Sequence, residues 1–368
     1  MGSLARGRPG PYTLDGRAAT WCRVVVASVR GDAAGGARDA RSWRARLGSK
    51  VLAGVAPEAK GGTMSLRTLT VAASLALAAC SSSSGPGPTE PTPEPLAPPE
   101  NGVQFASGEV LLAPGEEAYR CFEFALPEGA GFPLVGIETQ ATHPAVHHFG
   151  VFTTTLTKSD EPYSCEEMGA AWGLVSGGGV GTPAMTFPAG TAMTIDAGAH
   201  VVLQLHLLNA SSKDATVPPV RLNLETAKDP SGLAAVGLLI TGTLKIDLPP
   251  KAMGVVQTGG CDVEEPLENV FAAFPHMHRL GRSLETRVVP KDGAAARTLS
   301  QVTWDFSDQG IYAADGSAKL GERVETSCTY DNSTDAAVSF GLHTKDEMCV
   351  NVLYYYPAKE RSRYCGIP

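Results

Sequence analysis

From Gly102 onward the apolar residues come in short runs broken by glycine, proline and other turn formers, a pattern that suits strands and leaves little room for long helices. Phe149–Phe152, Thr191–Ile195, Val201–Leu208, Val220–Leu224 and Val236–Ile240 are such runs. Their spacing predicts an all-β chain built as an antiparallel sandwich. The 41 glycines and 27 prolines fall largely between the runs, and 43% hydrophobic with 18% charged residues is a globular composition. With 368 residues, the chain is long enough for two domains that each bury a core.

Charge divides the chain unevenly. The net charge is −8, yet up to Ala79 about 12 Lys/Arg stand against about 4 Asp/Glu, leaving roughly −16 on the remainder. So acidic a surface argues against nucleic acid as a partner. Met64–Ala79 combines Arg67 with a short apolar stretch, too short to span a bilayer but suited to a signal peptide. It ends in Leu77-Ala78-Ala79-Cys80, which resembles the lipobox of bacterial lipoproteins, so Cys80 is the expected lipidation site. Residues 80–101, rich in Ser, Gly, Pro and Thr, read as a flexible tether. The resemblance implies a lipid-anchored protein of the bacterial cell envelope, with the outer membrane favoured because Ser81 is not an aspartate. Translation is then expected to start at Met64, and residues 1–63 to be a non-native or disordered extension.

Beyond Cys22 and Cys80, six cysteines remain, at 121, 165, 261, 328, 349 and 365. An even number in an exported chain predicts three disulfides, with fifteen pairings open. No Cys-x-x-Cys pair is present, which disfavours thiolate metal ligation.

Three histidine features stand on the strand pattern: His147-His148, His206 in Leu-Gln-Leu-His, and His276-Met277-His278. On a strand, Val202, Gln204 and His206 share a face, and His276 and His278 point the same way as a chelating pair. Adjacent His147 and His148 would diverge, so both can reach one ion only if the strand bends or the rings use different nitrogens. Each feature alone is commonplace; a lone strand histidine is usually just hydrogen-bonded in a core. Together they hold five of the eight histidines in the chain. Met348, beside Cys349 at the start of an apolar and aromatic stretch, would by itself be core packing. With His276 and His278 it makes two imidazoles and a thioether, a donor set suited to copper cycling through Cu(I) rather than to Mg²⁺ or Ca²⁺.

His-His, Leu-Gln-x-His, His-x-His-x-Leu-Gly and Glu-Met-Cys before a Tyr-Tyr strand, in that order, resemble the signature of the copper type II, ascorbate-dependent monooxygenases, from about Gly102 to Cys365. The resemblance implies two tandem antiparallel jelly-roll-like β-sandwich domains, 102–228 and 229–368, facing each other across a solvent-filled cleft. It implies one copper held by His147, His148 and His206, and a second, oxygen-activating copper held by His276, His278 and Met348. Gln204 is implied near the first copper, in the hydrogen-bonded route between sites. Disulfides Cys261–Cys365 and Cys328–Cys349 follow from the same resemblance, leaving Cys121–Cys165 by elimination. The implied reaction inserts one atom of dioxygen into a C–H bond of a small organic or peptide-like substrate, with ascorbate or another donor as reductant.

The chain departs from the peptidylglycine branch of that family at Phe274, Val350 and Val352, where that branch places polar residues that hold a substrate carboxylate. A C-terminal glycine peptide is therefore disfavoured as substrate. Cys121 lacks its usual family partner, the matching region holding Pro218 and Pro219. The competing class is an envelope protein that binds or passes copper without catalysis. Two unlike donor sets favour the enzyme, since a copper store would rather repeat His or Met along a flexible segment.

Overall fold

In the strand His200–Leu208, Val201, Leu203, Leu205 and Leu207 enter an apolar core, while Val202, Gln204 and His206 turn to the opposite face. Alternation of this kind recurs along the chain, and the result is an all-β architecture without helices among the described residues. The computed structural model describes residues 94–367, apart from positions 130, 159–161, 167, 168 and 170. The expected signal peptide, the expected lipidation site Cys80 and the expected 1–63 extension lie outside them.

The first half of the described chain forms two main sheets. One runs in the order Tyr163–Ser164, Glu117–Ala125, His200–Leu208, Val146–Thr154, Gly173–Gly178. The other orders Gly102–Ala106, Arg221–Thr226, Phe132–Gln140, Thr191–Ile195 and Ala234–Ala235. Leucines, valines and phenylalanines from both sheets share one core. The second half repeats the plan. One sheet orders Tyr312–Ala318, Leu267–His276, Cys349–Tyr355, Gly237–Thr243 and Ser362–Cys365, and the other Met253–Asp262, Arg323–Asp331, Gly281–Val289 and Arg297–Thr303. Main-sheet pairings are antiparallel except at two short edge strands, Ala234–Ala235 and Ser362–Cys365, which pair in parallel.

The second-half sheet that faces the first half is apolar on that side. Leu238, Ile240, Ala272, Phe274, Val352 and Tyr354 belong to the same buried cluster as the core of the first half. Gly177 makes this approach possible, since a Cβ there would lie 2.5 Å from the Phe274 ring. Direct hydrogen bonds add to it: the Tyr354 hydroxyl donates to the Val175 carbonyl (3.1 Å) and the Tyr119 hydroxyl to the Leu342 carbonyl (2.9 Å). The expected solvent-filled cleft is thus reduced to a cavity of about 480 Å³ between the two halves. Burial of facing apolar side chains is the physical reason for the difference.

Three disulfides are present: Cys121–Cys165, Cys261–Cys365 and Cys328–Cys349. The tether reading of 80–101 needs correction at its end. Leu96 and Ala97 hydrogen-bond with Gln140, Gln104 and Asn223 on three neighbouring strands, so this stretch is tied across the sheet instead of hanging free.

Candidate metal centre

The strand Val146–Thr154 pairs His148 with His206, and then Val146 with Leu207, leaving His147 as an extra residue in a bulge. A bulge re-aims a side chain that regular alternation would send to the other face. Here it turns His147 back beside His148. His148 Nδ1 lies 3.2 Å from His147 Nδ1 and 3.4 Å from His206 Nδ1. The ligand atoms of the three rings all lie within 4.8 Å of one another, the one such group of His, Cys, Asp or Glu among the described residues.

Three imidazole nitrogens so close could hold an ion between them. Each contact needs one donor and one acceptor, and a neutral ring carries a single N–H. His206 commits its proton elsewhere, donating from Nε2 to the Glu117 carboxylate at 2.8 Å. His147 Nε2 is buried with no hydrogen-bond partner. Three convergent nitrogens, with one proton already drawn to the far side by a carboxylate, form a cluster that could hold a metal ion and is oriented from behind. Tyr119 stacks on the His206 ring, 4.2 Å between centroids and 2° between planes, and Phe306 lies against His147 at 3.8 Å.

His276 and His278 follow another rule with the same result. His276 Nδ1 donates to Gln309 Oε1 (3.0 Å) and His278 Nδ1 to the Asp346 carbonyl (3.0 Å), which leaves both Nε2 atoms as bare acceptors. Their ring centroids are 5.2 Å apart. Met348 lines the same cavity. The strand register pairs His276 with Val350, which puts Met348 at the neighbouring position of the facing strand, on the side of His278. The donor set of two imidazoles and a thioether suits copper, Cu(I) above all.

The structure also gives a role to Glu347 of the Glu-Met-Cys motif and supplies Trp304 and Gln309, which the sequence did not single out. Glu347 is fully buried and accepts hydrogen bonds from the backbone N–H groups of His278 (2.9 Å) and Leu280 (2.6 Å), tying the His-x-His turn to the residue before Met348. Trp304 Nε1 donates to the His278 carbonyl at 3.0 Å. Gln309 joins the two donor sets, accepting from His276 and donating from Nε2 to His147 Nδ1 at 3.3 Å. Gln204, expected on that route, instead donates to the Cys165 carbonyl at 2.9 Å, because the disulfide at Cys121 brings Cys165 over its face of the sheet. The two donor sets are closer than a cleft would allow, with the His148 and His276 rings 5.0 Å apart.

Burial and the neighbouring imidazoles hold these histidines neutral. Burial first, and then His206 and His278, lower His147 to about 4. Burial and His278 lower His276 to about 3, and burial lowers His278 to about 4 against the pull of Asp346. His148 and His206 are lowered in the same direction, again by burial first. In an unfolded chain, imidazoles take up protons below about pH 6.5. The unfolded state therefore binds more protons between about 6.5 and 4, and folding stability falls as pH drops through that window. At about 1.4 kcal/mol per excluded proton and pH unit, the metal-free protein is expected to lose on the order of several kcal/mol by pH 4.5. Urea denaturation at pH 7.5 and 5.0 measures it, and an unchanged midpoint would show that the rings titrate freely.

Known proteins place the chain. Residues 232–367 match the family described as copper type II ascorbate-dependent monooxygenase, C-terminal domain. Dopamine beta-hydroxylase of Canis lupus familiaris is 26% identical over 303 residues, covering 72% of this chain and 47% of that protein. The rat enzyme is 26% identical over 292 residues, covering 68% and 45%. DBH-like monooxygenase protein 1 of Homo sapiens is 27% identical over 222 residues, covering 56% and 35%. The chain thus spans about half the length, or less, of these curated relatives. Among solved structures, allantoicase aligns at a TM-score of 0.20 and 10% identity over 66% of this chain and 78% of its own, too slight a likeness to inform the fold. The family match covers the half of the chain that carries His276, His278 and Met348, and the likeness to the dopamine beta-hydroxylases, at 26% identity, extends over 68–72% of the chain.

Proposed function

We propose that the chain is a copper monooxygenase that hydroxylates a C–H bond of a small organic or peptide-like substrate, using dioxygen and a reductant such as ascorbate. One copper would sit on His147, His148 and His206 in the segment 102–228, and a second on His276, His278 and Met348 in the segment 229–368. The observation that carries the reading is the convergence of imidazole nitrogens whose protons are drawn to the far side of their rings, by Glu117 at His206 and by Gln309 and Asp346 at His276 and His278. When bound, copper would supply the electrons and the site of dioxygen reduction.

The protein's own part is to fix rings, exclude water and connect the two sets. Glu117 and Glu347 hold His206 and the His278 turn in place, and Gln309 links one set to the other by two hydrogen bonds. Three disulfides fit an oxidising compartment, and the Cys80 lipobox supports anchoring in a bacterial envelope as part of the same proposal.

The test is oxygen consumption by the copper-loaded protein with ascorbate across a substrate panel, with product identified by incorporation of labelled oxygen. Substrate-dependent uptake with one labelled atom in the product is the expected result. Two tightly bound coppers without any coupled uptake would favour copper handling instead.

Glu117 offers a narrower test. Burial works against its ionisation, but hydrogen bonds from Thr344 and His206 hold its carboxyl below the ordinary glutamate value, so it stays anionic and strengthens His206 as a donor. Removing a carboxylate behind a metal-binding histidine costs about 10–100-fold in metal affinity. Glu117→Gln is expected to weaken copper at the three-histidine set about 10-fold and to leave the other set unchanged. Competition with a Cu(I) chelator measures this, and equal affinities would remove Glu117 from that role.

A further inference from the structure

The cavity of about 480 Å³ between the two halves meets the metal centre at one end, where His148, His276, His278 and Met348 contribute to its wall. Beyond them the wall is mostly carbon. Phe274 pairs with Val352 and His276 with Val350 on adjacent antiparallel strands, so these four side chains share the face that looks into the cavity. Ile240 and Phe149 close it from the flanking strands. Among the described residues no lysine or arginine lines it, and the one carboxylate is Glu166, which is exposed at the edge.

Such a wall discriminates by charge. A carboxylate brought inside would lose its hydration and find no cationic side chain, and a buried ion without a partner costs several kcal/mol. An ammonium would find Glu166 alone, where water still screens it. Gln204 and Ser176 are the buried polar groups on the wall, enough to orient one hydroxyl or carbonyl. The volume lies within the range of cavities that enclose a small organic molecule.

We propose that this cavity is the substrate site and that it selects an uncharged, predominantly hydrocarbon molecule, such as a substituted aromatic or alicyclic compound, over amines, amino acids and peptide carboxylates. The assignment of the bound molecule as a substrate rests on the monooxygenase reading. The charge selectivity does not, because it follows from the lining alone.

The experiment uses the metal-free protein, so copper loading cannot confuse it. N-phenyl-1-naphthylamine, a neutral dye that brightens in apolar cavities, is bound and then displaced by 3-phenylpropan-1-ol, 3-phenylpropylammonium or 3-phenylpropanoate at pH 7.5. The alcohol is expected to displace the dye at concentrations at least about 10-fold lower than either ion. Val350→Lys, on the half-buried part of the wall, is expected to bring the carboxylate level with the alcohol or below it. Thermal melting confirms that the variant is folded, and the wild-type series decides the question if it is not. The proposal is overturned if either ion matches the alcohol on the wild type, if the dye does not bind, or if folded Val350→Lys keeps the wild-type order. A separate copper count reports on the monooxygenase reading, so failure of one leaves the other intact.

Discussion

Met348→Ala is expected to lower substrate-coupled oxygen consumption by about 10³-fold, a rise of about 4 kcal/mol in the barrier, while the protein stays folded. Met348 is half-buried and lines the cavity, so truncation removes few packing contacts. Its position is nonetheless over-determined. The Tyr330 hydroxyl donates to its carbonyl at 2.8 Å, Glu347 ties the residue before it to the His278 turn, and the next residue is held by Cys328. A side chain placed so firmly, yet barely used in the core, is placed for its sulfur. A thioether is a soft donor that favours Cu(I), the state that must meet dioxygen. Alanine leaves two imidazoles and no sulfur, so the loss should fall on turnover more than on the number of histidine-bound coppers. Turnover within 10-fold of wild type would take Met348 out of the site.

The second large effect is on stability. Cys261 lies in the strand Met253–Asp262 and Cys365 ends the strand Ser362–Cys365, so their bond joins the two sheets of the second half. It closes a loop of 104 residues by sequence separation, against 21 for Cys328–Cys349. Constraint of the unfolded chain grows with loop length, to about 5 kcal/mol for the longer loop and about 3 for the shorter. Changing both Cys261 and Cys365 to alanine is therefore expected to cost about 4–5 kcal/mol in denaturant unfolding, more than the matching change at Cys328 and Cys349. The reverse order would show that local packing around Met348, not chain constraint, dominates.

How much of this could be read from the sequence depends on how far apart the cooperating residues lie. The strand period set Gln204 and His206 on one face and Leu203, Leu205 and Leu207 on the other, and the structure shows that division. The same period left His147 and His148 diverging, and the resolution is a bulge, which a two-residue repeat does not encode. Glu117 and Gln309 carried no signal at all, and Glu347 was marked only as part of the Glu-Met-Cys motif. Each is an ordinary polar residue whose meaning comes from partners 33 to 227 positions away, as in Gln309 with His276 and Glu117 with Thr344. Gln204 illustrates the converse, since the motif marked it but the Cys165 carbonyl claims its amide. The approach of the two halves was equally hidden, because an apolar sheet face reads the same whether it covers a core or meets a second sheet.

The central claim is that one chain holds two coppers at unlike sites, and X-ray absorption of the reduced, copper-loaded protein tests it most directly. The account predicts two coppers per chain, with sulfur scattering from one of them that disappears in Met348→Ala while the nitrogen signal remains. Fewer than two tightly bound coppers, or a sulfur signal that survives in the variant, would contradict it.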